Sequence, residues 1–244
     1  MEKAEKIKRL TELSIFFPFW NEEKNIEAVV KQAIPIAERV AAKWEIIMVD
    51  DGSTDRTKYI AEKLASQNPR LRLVSIHPNR GYGAALNEGL TQAKYDVVVF
   101  TDGDRQFDFS EITTFLEVLP GADMVIGFRK KRNDRNIFKR LLLMSLLKAW
   151  DFLLFHFYFR DIDCGFKLFT RHALSEIMPL RSEGAMITTE ILAKAKKKKL
   201  TIREVGVMHY PREHGIQTGA NFAVILRAVL ESFILWYDLH YGRT

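Results

Sequence analysis

Asp102 and Asp104, separated by Gly103 and followed by Gln106, form the sharpest chemical pattern in this chain. Two carboxylates at that spacing, emerging from a buried strand, can both reach one hard divalent cation, and the glycine lets the backbone approach a ligand. Magnesium or manganese bound this way keeps positions open for phosphate oxygens. Read without chemistry, the same residues are a turn whose aspartates cap a helix. A second acidic pair, Asp50 and Asp51, leads into Gly52-Ser53-Thr54-Asp55. One of two adjacent carboxylates after an apolar strand must point into a cleft, where it can accept from the ring N–H of a base or from a ribose hydroxyl; Ser53 or Thr54 suits an N-cap. Pro18-Phe19-Trp20-Asn21-Glu22 ends another apolar run. Trp20 can flank a nucleobase there, and Glu22 can accept from ribose hydroxyls. Asn79-Arg80-Gly81-Tyr82-Gly83 opens a helix, and a glycine turn at a helix N-terminus offers N–H groups and a positive dipole to an anion.

The elements that position these residues follow from the hydrophobic pattern. Short apolar, β-branched runs predict strands at Leu13–Pro18, Glu45–Asp50, Leu71–Ile76, Asp96–Thr101 and Ala122–Gly127. Amphipathic stretches between them predict helices at about Glu22–Ala41, Thr54–Gln67, Gly83–Ala93 and Ser110–Leu119. That alternation implies βαβ units and a mostly parallel α/β sheet, whose ligands bind beyond the carboxyl ends of the strands. The acidic and amide groups all fall at those ends. Further on come a basic run (Arg129–Arg140), an apolar stretch (Leu141–Phe159), an extended Asp161–Thr170, a helix at Ile187–Lys198, a strand at Leu200–His209 and an apolar helix at Ala220–Tyr241. One domain is expected, with a first half over 1–127, a second over 128–217 and a terminal helix over 218–244.

With 244 residues, 47% of them apolar, the chain can bury a core and is not a disordered polypeptide. A single cysteine, Cys164, permits no intramolecular disulfide and points to a reducing, cytoplasmic compartment. The net charge of +6 favours anionic partners. Nucleic acid is disfavoured, because the acidic motifs hold the cleft and the basic residues gather beside the apolar stretch instead of forming a continuous face. Met1–Leu10 is charged and is no secretory signal. Lys148, Asp151 and His156 disfavour a membrane span over Leu141–Phe159, yet both apolar helices could lie at a membrane surface, against the core, or against a second copy in a homo-oligomer.

Taken in order, the motifs resemble those of the inverting family 2 glycosyltransferases of GT-A fold. The series is Pro18-x-x-Asn21-Glu22, Val49-Asp50-Asp51-Gly52-Ser53-x-Asp55, Asn79-Arg80-Gly81-x-Gly83-Ala84-Ala85 and Asp102-x-Asp104-x-Gln106. Gly127-Phe128-Arg129, Asp161-x-Asp163-Cys164-Gly165-Phe166-Lys167-Leu168-Phe169 and His209-Tyr210-Pro211-Arg212-x-x-Gly215 resemble the branch of dolichyl- and polyprenyl-phosphate mannosyl- and glucosyltransferases. The resemblance implies that Pro18, Trp20, Glu22 and Asp51 hold the nucleoside of a UDP- or GDP-hexose, with Arg80 as a supporting anion contact. It implies that Asp102, Asp104 and Gln106 arrange Mg2+ or Mn2+ and the diphosphate, and that Arg129 and Arg212 meet phosphate groups. A lipid phosphate acceptor is already anionic and needs no base, whereas a saccharide hydroxyl needs one, for which Glu190 stands where many relatives carry an acid. Relatives often continue past the final glycine with Ser-Lys, where this chain has Ile216-Gln217, and many add membrane-spanning helices; a peripheral membrane contact or a soluble acceptor is therefore expected. A binding protein that has lost transfer is the non-enzymatic alternative.

Overall fold

A computed structural model describes residues 9–130, 150, 152–214 and 222–242, with the side chains of 222–228 excepted. Residues 131–149, 151 and 215–221 lie outside it, and with them most of the basic run, much of the first apolar stretch and the Gly215–Asn221 departure.

Seven strands form one sheet: β1 (Leu10–Phe19), β2 (Ala41–Asp51), β3 (Leu71–Ile76), β4 (Val97–Thr101), β5 (Met124–Arg129), β6 (Phe166–Thr170) and β7 (Ile202–Val207), in the order β3-β2-β1-β4-β6-β5-β7. All neighbours are parallel except β6, which runs antiparallel to both β4 and β5. Helices α1 (Ile26–Val40), α2 (Thr57–Gln67) and α4 (Ile112–Val118) cover one face. The other carries α3 (Tyr82–Gln92), α5 (Arg171–Ile177), α6 (Ile187–Lys197) and α7 (Phe222–Tyr241).

The period-two alternation of the strands divides the core. Leu13, Ile15, Phe17, Ile46, Met48, Val99 and Val125 face the first helical layer. Phe16, Ile47, Val49, Val98, Phe100, Met124 and Ile126 face the second. Strands buried on both faces read as continuous apolar runs, which is why they were legible as strands. In α1, Ile26, Val29, Val30, Ala33, Ile36, Ala37 and Val40 form the buried stripe of a 3.6-residue period.

Three expectations are corrected. The first helix begins at Ile26, because the N–H groups of Glu22 and Glu23 are drawn to Thr57 Oγ1 (2.8 Å) and Asp55 Oδ2 (3.1 Å). It passes directly into β2, four residues before the strand expected from Glu45. The helix expected over Ser110–Leu119 is a 3-10 turn (Phe109–Glu111) followed by α4, with Asp108 accepting from Ser110 N at 2.9 Å. The reversal at β6 has a topological effect: it brings the segment 161–165, at that strand's start, to the edge where the parallel strands end.

Candidate active site

At that edge the loops after β1 and β2 interlock. Ser53 Oγ accepts from Asn21 N (2.9 Å), Asn21 Oδ1 accepts from Thr54 N (2.8 Å), and Glu23 Oε2 accepts from Arg56 N (3.1 Å). Trp20 stands out from this platform, 44% exposed, with its ring free to stack. Pro18 is buried in β1. Asp51 is turned sideways: its carboxylate accepts from Arg80 N (2.9 Å), Gly81 N (2.8 Å) and Asn79 Nδ2 (2.9 Å), tying β2 to the start of α3. Burial still raises its pKa against those donors. Asp51 thus holds the 79–81 turn.

Asp102 and Asp104 follow β4. Asp102 N donates to Gly165 O (3.1 Å), and the Asp102 carboxylate packs directly on Gly165: a Cβ there would stand 2.0 Å from Oδ2. Gly103 is pressed against Phe19 just as closely, 2.3 Å from an imagined Cβ to the ring. Both glycines are therefore required by close approach. Tyr82 Oη donates to Asp102 Oδ1 (2.8 Å), and Gln106 N donates to Asp104 Oδ1 (3.0 Å). Burial, reinforced by the charge of Asp104, pushes Asp102 up to about 7; burial raises Asp104 too. Two desolvated carboxylates that repel each other fit a hard divalent cation, which removes the repulsion by supplying positive charge. Among the described residues no cluster of three or more His, Cys, Asp or Glu gathers; the pair could contribute two ligands to such a cation.

Gln106 lies after the pair and is tied to a distant segment. Its amide donates to Tyr210 O (3.1 Å), and Tyr210 N donates to Gln106 O (2.9 Å), so it ties the acidic loop to the segment after β7. That segment delivers Arg212, whose guanidinium pairs with Glu22 and lies 3.7 Å from Asp104 Oδ2. Burial raises the pKa of Glu22, opposed by Asn25 and Arg212. One arginine thus bridges the β1 loop and the cation pair.

Arg129 and Glu190 sit differently from the roles expected of them. Arg129, partly buried, forms a bidentate pair with Asp161, Nε to Oδ2 at 2.6 Å and Nη2 to Oδ1 at 2.8 Å. This pair raises its pKa despite burial. Glu190, 1% exposed, accepts from Arg181 N (3.0 Å), Ser182 N (2.7 Å) and Lys194 Nζ (2.8 Å). A carboxylate so enclosed and so fully donated to has no lone pair directed at an acceptor hydroxyl. Arg80 faces Glu183 as an exposed ion pair, and the N–H groups of Gly83 (2.8 Å) and Ala84 (3.2 Å) donate to Glu183 O. The anion-ready helix start is thus covered by protein.

Sequence reasoning assigned no role to Lys167, which is fully buried with Nζ donating to Ile162 O (3.0 Å) and Cys164 O (2.5 Å). Burial lowers its pKa and pushes the Cys164 thiol up to about 12. A lysine within an apolar strand was the available signal. Nothing local could have paired Tyr82 with Asp102.

The match to known proteins agrees with this layout. The family model described as "Glycosyl transferase family 2" matches residues 14–177, more than half of the chain. The chain belongs to glycosyl transferase family 2. Among its relatives, the dolichyl-phosphate beta-glucosyltransferase of Saccharomyces cerevisiae is 30% identical over 80% of this chain and 66% of that one. The dodecaprenyl-phosphate galacturonate synthase of Rhizobium johnstonii is 28% identical over 95% and 69%. An undecaprenyl-phosphate 4-deoxy-4-formamido-L-arabinose transferase of Pectobacterium carotovorum is 30% identical over 83% and 61%. The chain spans about two-thirds of the length of these curated relatives. In fold it resembles glucosyl-3-phosphoglycerate synthase from Mycobacterium tuberculosis in complex with Mn2+, UDP and glucosyl-3-phosphoglycerate, with a TM-score of 0.64 at 22% identity, covering 93% of this chain and 80% of that one. The fold is the GT-A type that the motifs implied.

Proposed function

We propose that this family 2 protein transfers a hexose from a nucleoside diphosphate sugar to a polyprenyl phosphate, with inversion and with a divalent cation. The observation that carries the reading is the bridge at the sheet edge, where Arg212 joins Glu22 of the nucleoside loop to the Asp102–Asp104 pair. In this reading the pair supplies cation ligands, and Arg212 a positive charge, where a diphosphate leaving group gathers negative charge. The solved relative with Mn2+ and UDP, and relatives named for polyprenyl phosphate acceptors, support the donor, metal and acceptor classes.

In this reading Trp20 stacks on the base and Glu22 accepts from the ribose. Asp102 and Asp104 hold the cation, which supplies Lewis-acid stabilisation of the departing diphosphate. Arg212, held between Glu22 and Asp104, faces the same charge. The acceptor phosphate attacks the anomeric carbon from the opposite face and needs no proton removed, which agrees with a Glu190 carboxylate already committed to its own donors. Arg129, held by Asp161, braces the 161–165 segment against which Asp102 rests.

The acceptor's location gives the last helix a role. One side of α7 enters the core through Leu235 and Leu239, and the other exposes Leu230, Phe233, Ile234, Tyr237 and Tyr241. Among the described residues no helix is long and apolar enough to cross a membrane. Arg181 pairs with Asp238 at 2.9 Å, which sets α7 beside the loop that reaches the active site. We propose that this face rests on the bilayer that holds the acceptor. The test of the transfer is incubation with radiolabelled UDP- and GDP-hexoses, undecaprenyl phosphate and Mn2+. Labelled lipid should form and should disappear in Asp104→Asn; undiminished metal-free transfer by that variant, or product on soluble hydroxyls alone, refutes the reading.

A further inference from the structure

We infer that Glu190 is a positioning residue for the donor site, acting through the 181–184 loop; the inference rests on the donor half of the function proposed above. The contacts run in one direction. Glu190, paired with Lys194 one helical turn on, takes the N–H groups of Arg181 and Ser182, while Lys194 also donates to Pro179 O. The loop so held presents Glu183 O to the N–H groups of Gly83 and Ala84, and its carboxylate to Arg80. The facing surface is closely fitted: a Cβ on Gly83 would stand 2.5 Å from Ser182 O and 2.7 Å from Gly184 O.

The 79–84 segment is therefore clamped from two sides. Asp51 of β2 holds Arg80 N and Gly81 N, and the loop fixed by Glu190 holds Gly83 N and Ala84 N. Between the clamps, Tyr82 reaches across to Asp102 Oδ1. Glu190 thus sets the height of the turn that aims Tyr82 at Asp102. Buried carboxylates that accept backbone N–H bonds fix loops because an unpaired N–H in that position is costly.

Glu190→Gln replaces one acceptor oxygen with a donor group facing the loop's N–H groups, and Gly83→Ala pushes the loop away with Glu190 intact. Both variants should weaken UDP binding in the presence of Mn2+ by about tenfold, equivalent to about 1.4 kcal/mol, as read by calorimetry. In transfer assays both should raise donor KM more than they lower kcat, with the pH profile of kcat unmoved. Amide exchange across residues 80–86 should quicken in each. A general base gives a different pattern, a kcat loss of roughly 10²–10⁴-fold with unchanged UDP affinity and a lost pH limb in Glu190→Gln, and that result overturns the inference. Should Glu190→Gln fail to fold, unchanged UDP affinity and unchanged exchange in Gly83→Ala overturn it as well. Because UDP binding and exchange need no acceptor, wild-type protein that binds UDP but glycosylates no lipid removes the proposed transfer alone. If wild type binds neither UDP nor GDP, the donor reading falls, and unchanged amide exchange in both variants then overturns the positioning role.

Discussion

Replacing Gly165 by alanine tests whether the cation ligand is placed by packing. The added Cβ would lie 2.0 Å from Asp102 Oδ2, 2.4 Å from Cγ and 2.6 Å from Oδ1, where real Cβ contacts essentially never fall under 3.0 Å. The carboxylate must therefore retreat by about 1 Å or more. The backbone has little freedom to yield: Asp102 N is bonded to Gly165 O, and Thr101 is in register with Phe166 in the β4–β6 ladder. Relief then comes from rotating the carboxylate away from Tyr82 and the cation position. Overpacking of this kind costs roughly 1–3 kcal/mol of stability, and a misplacement of about 1 Å at a reacting centre costs about 10²-fold in rate. Gly165 itself has no left-handed φ, so backbone strain does not confuse the result. The assay combines thermal unfolding, Mn2+ titration by electron paramagnetic resonance and sugar transfer. Expected are a folded protein of lowered Tm, weakened Mn2+ binding and turnover down about a hundredfold. A folded Gly165→Ala protein that binds Mn2+ and transfers sugar as well as wild type refutes the close-approach argument.

The acidic pair also sets a pH dependence. Asp102 must be ionised to bind a cation, so with its pKa near 7 the Mn2+ affinity should fall about tenfold between pH 8 and pH 6. Because this folded-state pKa is raised, the metal-free fold takes up a proton more readily than the unfolded chain. Its stability should rise as pH falls through 7, and Asp102→Asn should remove that slope in calorimetric melts at pH 6 and pH 8. For the apolar face, Ile234→Glu with Tyr237→Glu should abolish sedimentation with anionic phospholipid vesicles while UDP binding is retained. Undiminished sedimentation would remove the bilayer from the proposal.

Much of the scaffold was written in local pattern. The β1 to β5 runs alternate with helices of 3.6 periodicity, and burial on both faces of a parallel sheet demands the apolar strands seen at Leu13–Phe17 and Glu45–Val49, where the polar Ser14 and Glu45 bond each other at 2.7 Å and Arg72 holds Glu45 at 2.8 Å. The strand ends therefore located the acidic motifs at one edge without any coordinates. The extended stretch that holds β6 was legible but its antiparallel direction was not, since direction within a sheet leaves no trace in a five-residue apolar strand; the short α5 after it was not read either.

What the sequence determined by itself is the set of groups able to bind a cation, a base and a diphosphate, because residue type and strand-end placement are local properties. What only the tertiary structure decided is which of those groups are free to act. Arg129, Glu190, Gln106 and Asp51 have the right chemistry for substrate contact, and each carries a hydrogen bond to a partner between 9 and 104 residues away. Burial makes such pairing obligatory for a charged group, and its partners come from chain segments that meet only when the sheet is assembled.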